Sequence, residues 1–443
     1  MAISAPPLHV PELRLWQRLA YAGAVAGANL TDTAIATWVM FFYAPPAGRG
    51  QPLAPITWVA GALVLGRIVD AVTNPVVGFL SDRSHHPRGR RLPFLAWTAP
   101  PMVLLFLALW HPPAADASVT LGGLSVNGLY VAVVLALFYF CYSSYFCPHG
   151  ALLPEITASD EERVSISMMT AVAGLLGLAF VGVASGALVE RYGFEVTGLV
   201  IALATAASLY GPILAIHEKP RGEAEEVSFD FREAVILTLR NRAFVLFELS
   251  TIFALLAQNV LMLAMPYFIT VVVGGTEGQM GYLLGGSLLV ALLSFPLVAR
   301  LAARWGKARV YRVSLLLGAI LLSSLFLIGR LDLPVSRLGQ TVVLVALSGL
   351  GFSPTLALPP AILADTVDHD YRLTGKRRSA IYMGIQGIMQ KSFMALGPVI
   401  VSVLFRVYGY SPSDPTGVYL MGPVGGLLLL LGWLFFTGYP LED

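Results

Sequence analysis

The stretch GRIVDAVTNPVVGFLSDRSHHPRGRR, residues 66–91, decides the fold of this chain. Its first part ends an apolar run long enough to cross a bilayer, yet Arg67 and Asp70 lie near the middle of that run. A charge at that depth costs roughly 2.5 to 3.5 kcal/mol, so it persists only where it faces a partner or a water-filled cavity. Arg67, Asp70 and Asn74 are spaced i, i+3, i+7, which predicts one shared helix face turned into the protein.

The second part of the stretch predicts the orientation in the membrane. Residues 82–91 carry two histidines and four arginines, and loops rich in Lys and Arg stay on the cytoplasmic side. Most other Lys and Arg residues fall in loops on the same side as the N-terminus. We therefore expect both termini in the cytoplasm, after a short cytoplasmic lead. Few cations fall on the opposite side: Arg49, Arg191, Arg330, Arg337 and Arg406.

The composition predicts an all-α polytopic membrane protein. The chain is 56% hydrophobic and 12% charged, with a mean hydropathy of +0.74, too little charge for a soluble surface. Its apolar runs are continuous rather than alternating, which favours helices over a membrane barrel. Twelve runs of roughly 20 to 30 residues predict twelve transmembrane helices. We expect a multi-pass protein of a bacterial inner membrane, surrounded by the lipid bilayer and monomeric.

Two halves of the chain repeat each other. Residues 151–155, ALLPE, end the fourth run, and residues 361–365, AILAD, end the tenth. The only long charged segment, residues 217–242, divides an N-terminal six-helix bundle, residues 1–216, from a C-terminal one, residues 243–443. Two pseudo-symmetric bundles with corresponding loops are typical of a carrier whose site lies at the membrane midplane between them.

Several function classes are disfavoured by what the sequence lacks. Nucleotide-binding loops, metal-ligand clusters and nucleophilic triads are absent from the sequence, and the glycine-rich pieces lie inside apolar helices. We therefore expect neither an enzyme nor an ATP-driven pump, with no cofactor and no nucleic-acid partner.

Specific residues resemble one transporter family. The loop Gly78-x-x-x-Asp82-Arg83 followed by residues 88–91, RGRR, resembles the loop signature of the major facilitator superfamily. More narrowly, residues 67–75, RIVDAVTNP, and residues 364–368, ADTVD, ahead of Lys391 resemble the glycoside-pentoside-hexuronide:cation symporter family, which is melibiose permease-like. The resemblance implies a major facilitator fold and cation-coupled solute symport by alternating access.

The resemblance also implies roles for matching residues. Asp70 falls where the family has a cation-binding carboxylate, Ser143 where it has a hydroxyl near the cation, and Lys391 where it has a lysine at the site. Asn74 stands where the family has a second cation carboxylate. Losing that charge removes about 4 kcal/mol of attraction at 4 Å and an effective dielectric near 20. A proton needs only one titratable acid, so we expect proton coupling rather than sodium at Asp70.

The family's sugar-binding pattern is not matched. Its two aspartates and its aromatic residue correspond here to Asn29, Phe146 and Gly150, so the carboxylates that accept hydrogen bonds from sugar hydroxyls are missing. The alternatives for the substrate are therefore a lysolipid or other amphipath, or a glycoside bound in an atypical site. A non-transporting receptor or assembly factor is a further alternative.

The remaining candidates each have two interpretations. Arg67 either forms a salt bridge with Asp70 or contacts substrate, and Asp32 either bonds locally or supplies a second acid in the cavity, as a partner of Lys391 or of a cationic substrate group. His149 either relays protons or is a hydrogen-bonded structural histidine. Gln386 either lines the cavity or bonds another helix. The other residues predicted to contact substrate are Asn29, Tyr142 and Phe146.

Charged residues at the cytoplasmic helix ends predict a gate. The loop arginines set the topology, and a subset of them is expected to pair with the acids that end the fourth and tenth helices. The predicted gate consists of Asp82, Arg83, Arg91, Glu155, Asp365 and Arg378.

Overall fold

The computed structural model describes residues 12–84, 86–218, 238–331, 334–374 and 379–441. Nearly all of this chain is helical, apart from a two-stranded antiparallel hairpin that pairs Thr120 with Ser125. The N-terminal half contains α1 (Leu15–Ala34), a π turn (Ile35–Val39), α2 (Met40–Tyr43), α3 (Ile56–Asp82), α4 (Leu92–Ala108), β1 (Thr120–Leu121), β2 (Leu124–Ser125), α5 (Val126–Ile156), α6 (Asp160–Phe180), a π turn (Val181–Ser185) and α7 (Gly186–Ala215).

The C-terminal half follows a similar plan. It contains α8 (Arg242–Tyr267), a π turn (Phe268–Val273), α9 (Met280–Trp305), α10 (Lys307–Ser324), α11 (Arg337–Ala357), α12 (Pro359–Thr374), α13 (Ser379–Met394), α14 (Leu396–Tyr408) and α15 (Thr416–Thr437). Helices pack mainly within their own half: α1 against α6 and α7, α3 against α5, α8 against α15, and α9 against α11. The predicted boundary segment, residues 217–242, lies mostly outside the described residues.

Nine helical stretches of the described chain are long and apolar enough to span a membrane. One of them, Glu161–Ala215, is interrupted at Gly193, whose φ of 78° is not helical. The apolar α4 is shorter. Large apolar side chains such as Leu104, Leu214 and Leu293 are exposed on these helices, as expected where lipid covers the surface. The chain is thus a multi-pass membrane protein, and the count of twelve spans stays a prediction.

The contact between α3 and α5 positions the centre of the molecule. Gly66 on α3 lies against the ring of Tyr139 on α5, and a Cβ at this glycine would come within 2.6 Å of that ring. Only a glycine permits this approach, since small residues let membrane helices pack closely. The approach brings the next turn of α3, which carries Asp70, against Ser143 of α5.

The two halves meet closely at the end of the molecule opposite the N-terminus. The hydroxyl of Tyr267, at the end of α8, lies 2.8 Å from the carbonyl oxygen of Met40 and 2.9 Å from that of Ala44. Arg49 forms an ion pair with Glu277 at 3.3 Å. We call these contacts the distal seal, because they join the halves at the end far from the N-terminus.

Glycines make the distal seal possible. A Cβ on Gly186 would overlap the carbonyl oxygen of Glu277, and one on Gly281 would overlap that of Val183. Neither backbone atom could move aside without separating the helices. The side-chain contacts of the distal seal are therefore accompanied by close approach of the two backbones at these glycines.

Candidate functional site

Asp70 is the centre of the polar site and is fully buried on α3. The Lys391 ammonium group lies 2.8 Å from its Oδ1 atom. The Ser143 hydroxyl also donates to Oδ1, and the Asn74 amide nitrogen lies 3.3 Å from it. Three donors from α3, α5 and α13 thus converge on one carboxylate oxygen.

The ion pair of Asp70 and Lys391 joins the two halves of the molecule. Asp70 belongs to the N-terminal half and Lys391 to α13 of the C-terminal half. The Asp70 side chain is 1% exposed, whereas that of Lys391 is 33% exposed, so solvent reaches the pair from the lysine side. Among the described atoms, the second oxygen of Asp70, Oδ2, is buried and has no hydrogen-bond partner. That oxygen can accept a proton or contribute to binding a cation.

Arg67 lies one helical turn from Asp70 but pairs with another acid. Its Nη2 atom is 2.9 Å from Oδ1 of Asp32 on α1, and its guanidinium lies 4.9 Å from the centre of the Tyr139 ring. The Tyr139 hydroxyl donates to the same Asp32 oxygen at 2.8 Å. The salt bridge considered for Arg67 was with Asp70, but in the structure Arg67 pairs with Asp32 instead. Of the two acids considered for Lys391, the structure pairs it with Asp70.

The substrate-contact candidates on α5 form an aromatic face beside this site. The rings of Tyr142 and Phe146 lie 4.7 Å apart and both are partly buried. His149 stacks on Tyr21 with ring centres 4.2 Å apart, and its Nε2 atom lies 3.1 Å from the Tyr21 carbonyl oxygen. The histidine is 3% exposed, so its contacts are those of a residue that fastens α5 to α1.

Two further candidates contact other parts of the molecule. The amide of Asn29 donates to the carbonyl oxygen of Gly174 at 2.9 Å, which joins α1 to α6. The amide of Gln386 on α13 donates to Oε2 of Glu248 on α8 at 2.9 Å. Gln386 therefore does both things considered for it, because it bonds another helix and also lines a cavity of the C-terminal half.

The predicted gate residues pair within each half. Arg91 lies 3.1 Å from Asp82 and 3.0 Å from Glu155, and Arg90 lies 2.7 Å from Glu155. These contacts join the loop after α3 to the end of α5.

The other gate residues are placed differently. Arg83 lies over the ring of Phe79 at 4.0 Å, and Asp365 pairs with Lys307 at the start of α10. Arg378 lies outside the described residues. Because the pairs described link segments of the same half, a role in closing the space between the halves stays a prediction.

Sequence reasoning left two important residues without a role. Tyr139 holds Asp32 and covers Arg67, and only its position four residues before Ser143 on α5 could have pointed to it. Glu248 is a fully buried carboxylate two turns into an apolar helix, which is itself a signal of a functional site. Nothing in the sequence shows that Gln386 is its partner, since that contact depends on how α8 and α13 pack.

Ionisable side chains that pair between two helical halves inside a membrane protein are typical of secondary transporters. The chain belongs to the family described as MFS/sugar transport protein, whose model matches residues 20–443. This confirms the resemblance found around residues 66–91, and it makes the chain a transporter rather than an enzyme.

Known proteins similar to this chain fit that class. It is 22% identical to the isoprimeverose transporter of Lactiplantibacillus pentosus, over 89% of this chain and 80% of the relative. It is 23% identical to the sodium-dependent lysophosphatidylcholine symporter 1-A of Danio rerio, over 97% of this chain and 86% of the relative. The crystal structure of the nucleoside transporter NupG matches with a TM-score of 0.66 and 14% identity, covering 96% of this chain and all of that one. That structural match shows the shared fold.

Proposed function

We propose that this protein is a proton-coupled symporter that moves a small organic solute by alternating access. The observation that supports it best is the Asp70–Lys391 ion pair, which joins the two halves at a buried carboxylate with one free oxygen. Protonation at Oδ2 would remove the charge of Asp70, so Lys391 would lose its partner. The proton would thereby loosen one connection between the halves, which is what coupling requires.

The donor set around Asp70 favours a proton over sodium. Sodium requires several oxygen ligands, but Asn74 turns its amide nitrogen toward Asp70 and Lys391 already occupies the other carboxylate oxygen. A proton needs a single oxygen, and Asp70 Oδ2 provides one.

The conformation described here suits one step of that cycle. The distal seal closes one end, while Lys391 remains partly exposed to solvent. We propose that the halves, residues 1–216 and 243–443, rock about the Asp70–Lys391 pair. We further propose a monomer in a bacterial inner membrane with both termini in the cytoplasm.

Two substrate classes follow from the relatives. The isoprimeverose transporter favours a glycoside, and the lysophosphatidylcholine symporter favours an amphipath. The aromatic face formed by Tyr142 and Phe146, in place of sugar-binding carboxylates, supports the less hydroxylated solute.

The test is transport by the purified protein in liposomes. Isoprimeverose and lysophosphatidylcholine are first screened by thermal shift, and the one that stabilises the protein is used under an imposed pH or sodium gradient. We expect the pH gradient to drive accumulation in the wild type. The Asp70→Asn variant should lose accumulation but keep solute exchange, because it mimics a permanently neutral carboxyl group.

The outcomes that contradict the proposal are distinct. Unchanged accumulation in Asp70→Asn would remove Asp70 from coupling. Accumulation driven only by sodium would replace the proton as the coupling ion. A thermal shift without any flux would favour the receptor alternative.

A further inference from the structure

A cavity of about 570 Å³ in the C-terminal half is lined by residues other than those that contact Asp70. Most of its wall is apolar, and its polar groups are few. The residues that line it come from α8, α11, α12 and α13, and they include Ala364 and the polar residues Thr251, Thr355, Asp368, Gln386 and Gln390.

The polar end of this cavity is organised by a buried acid. Glu248 is fully buried on α8 and accepts a hydrogen bond from the Gln386 amide, and its side chain is also within bonding reach of Gln390. An ionised carboxylate only accepts hydrogen bonds, so the amide that meets it must present its NH₂ group. The carbonyl oxygen of Gln386 is then left for another donor. Glu248 therefore orients the Gln386 amide so that its carbonyl oxygen is available to a ligand in the cavity.

Among the described lining residues, the charge is negative. Asp368 lies in the wall, and Glu248 lies behind the two glutamines. Among the described lining residues there is no Lys or Arg. The second oxygen of Glu248, Oε1, is buried without a hydrogen-bond partner in the described chain. Buried charges are costly without compensation, which favours a cation in this space.

We propose that this cavity binds an amphipathic organic cation, with its ammonium group at Gln386, Gln390 and Asp368 and its apolar body against α11 and α12. Glu248 acts as a positioning residue, since it orients the glutamine oxygens and adds negative charge without touching the ligand. A sugar fits less well, because its many hydroxyl groups would face a wall made mostly of Leu, Pro, Val and Met. The inference concerns binding and does not depend on proton coupling at Asp70.

The experiment is calorimetric titration of the full chain in lipid nanodiscs at pH 7, with empty nanodiscs as the blank. The probes are 4-phenylbutylamine, which is protonated at this pH as a lysine side chain is, and the neutral 4-phenylbutanol. We expect the ammonium probe to bind the wild type roughly tenfold more tightly than the alcohol. Equal affinities in the wild type would overturn the proposal.

Variants test whether the acidic side chains give the preference for the cation and whether the probes bind in this cavity. Glu248→Gln should bring the two probes to nearly equal affinity while the alcohol still binds, which a loss of folding would not do. Asp368→Asn is the second charge variant, and Glu195→Gln, at an exposed acid of α7, is the matched control that should keep the preference. Ala364→Trp should fill the cavity and weaken both probes.

Two results of the variant series would refute the assignment. One is an ammonium preference that survives in both Glu248→Gln and Asp368→Asn. The other is unchanged binding of both probes to Ala364→Trp, which would place the site elsewhere. Asp70→Asn should keep the preference, so a failure of the coupling proposal is distinguishable from a failure of this one.

Discussion

Asp70 and Glu248 are both fully buried carboxylates inside apolar helices, and both are contacted by α13, but their partners differ. Asp70 meets the cation Lys391 from the opposite half. Glu248 meets the neutral amide of Gln386 from its own half. Helix α13 thus contacts Asp70 through a charged side chain, Lys391, and Glu248 through a neutral amide, Gln386.

The difference indicates which contact changes during transport. In the proposed cycle, a pair that joins the halves is broken or rebuilt as they move, whereas a contact inside one half can persist. The cost of losing a partner also differs, because an unpaired buried ion destabilises the folded protein far more than an unpaired buried amide does. The two acids should therefore respond differently to substitution.

The largest effect is expected from Lys391→Met. Removing one partner of a buried ion pair costs roughly 3 to 5 kcal/mol, and the lower end applies because Lys391 is one-third exposed. We expect a melting temperature several degrees below that of the wild type in the same detergent. Adding Asp70→Asn to this variant should recover most of the loss, since the stranded charge is then gone. If the double variant is no more stable than the single one, the pair is not the cause.

A much smaller effect is expected from Glu248→Gln. No cation is left behind by this change, and the amide of glutamine can still accept from Gln386, so the free energy of unfolding should change by less than about 1 kcal/mol. The same melting experiment measures it beside Lys391→Met. A destabilisation as large as that of Lys391→Met would show that Glu248 has a charged partner, and the contrast between the two acids would fail.

The smallest effect is expected from Arg49→Ala in the distal seal. The Arg49–Glu277 pair is partly exposed, and such pairs contribute about 0.2 to 1 kcal/mol and are weakened by salt. The melting temperature should fall slightly at low salt and match that of the wild type at about 1 M salt, where screening is nearly complete. A difference that persists at high salt would mean that Arg49 acts through its hydrogen bond to the backbone of Gly275 instead.

Local spacing predicted the site only where its residues share a helix. Asn74 bonds Asp70 one turn away on α3, as the spacing implied. The partners of the charges could not be read in the same way, since a sequence does not show which turn of α1 or α13 faces which turn of α3. Hence the alternatives for Arg67, Asp32 and Lys391 could be stated but not resolved.

Composition predicted the class of fold for a simple physical reason. A helix that crosses a bilayer needs about 20 consecutive apolar residues, so such helices are visible in a single sequence. Packing between helices leaves a weaker signal. The glycines of the distal seal look like many other glycines of the chain, and the stacking of His149 on Tyr21 joins residues far apart in sequence.

The three π turns, Ile35–Val39, Val181–Ser185 and Phe268–Val273, each interrupt a helix close to the distal seal. A π turn holds one more residue than an α-helical turn of the same height, so its conversion to α geometry would swivel the following segment by about 100°. Such a swivel would carry the Met40 carbonyl away from the Tyr267 hydroxyl, and Gly186 out of register with the Glu277 carbonyl that it faces. Local rewinding within single helices would therefore loosen the distal seal in a cycle where the halves rock.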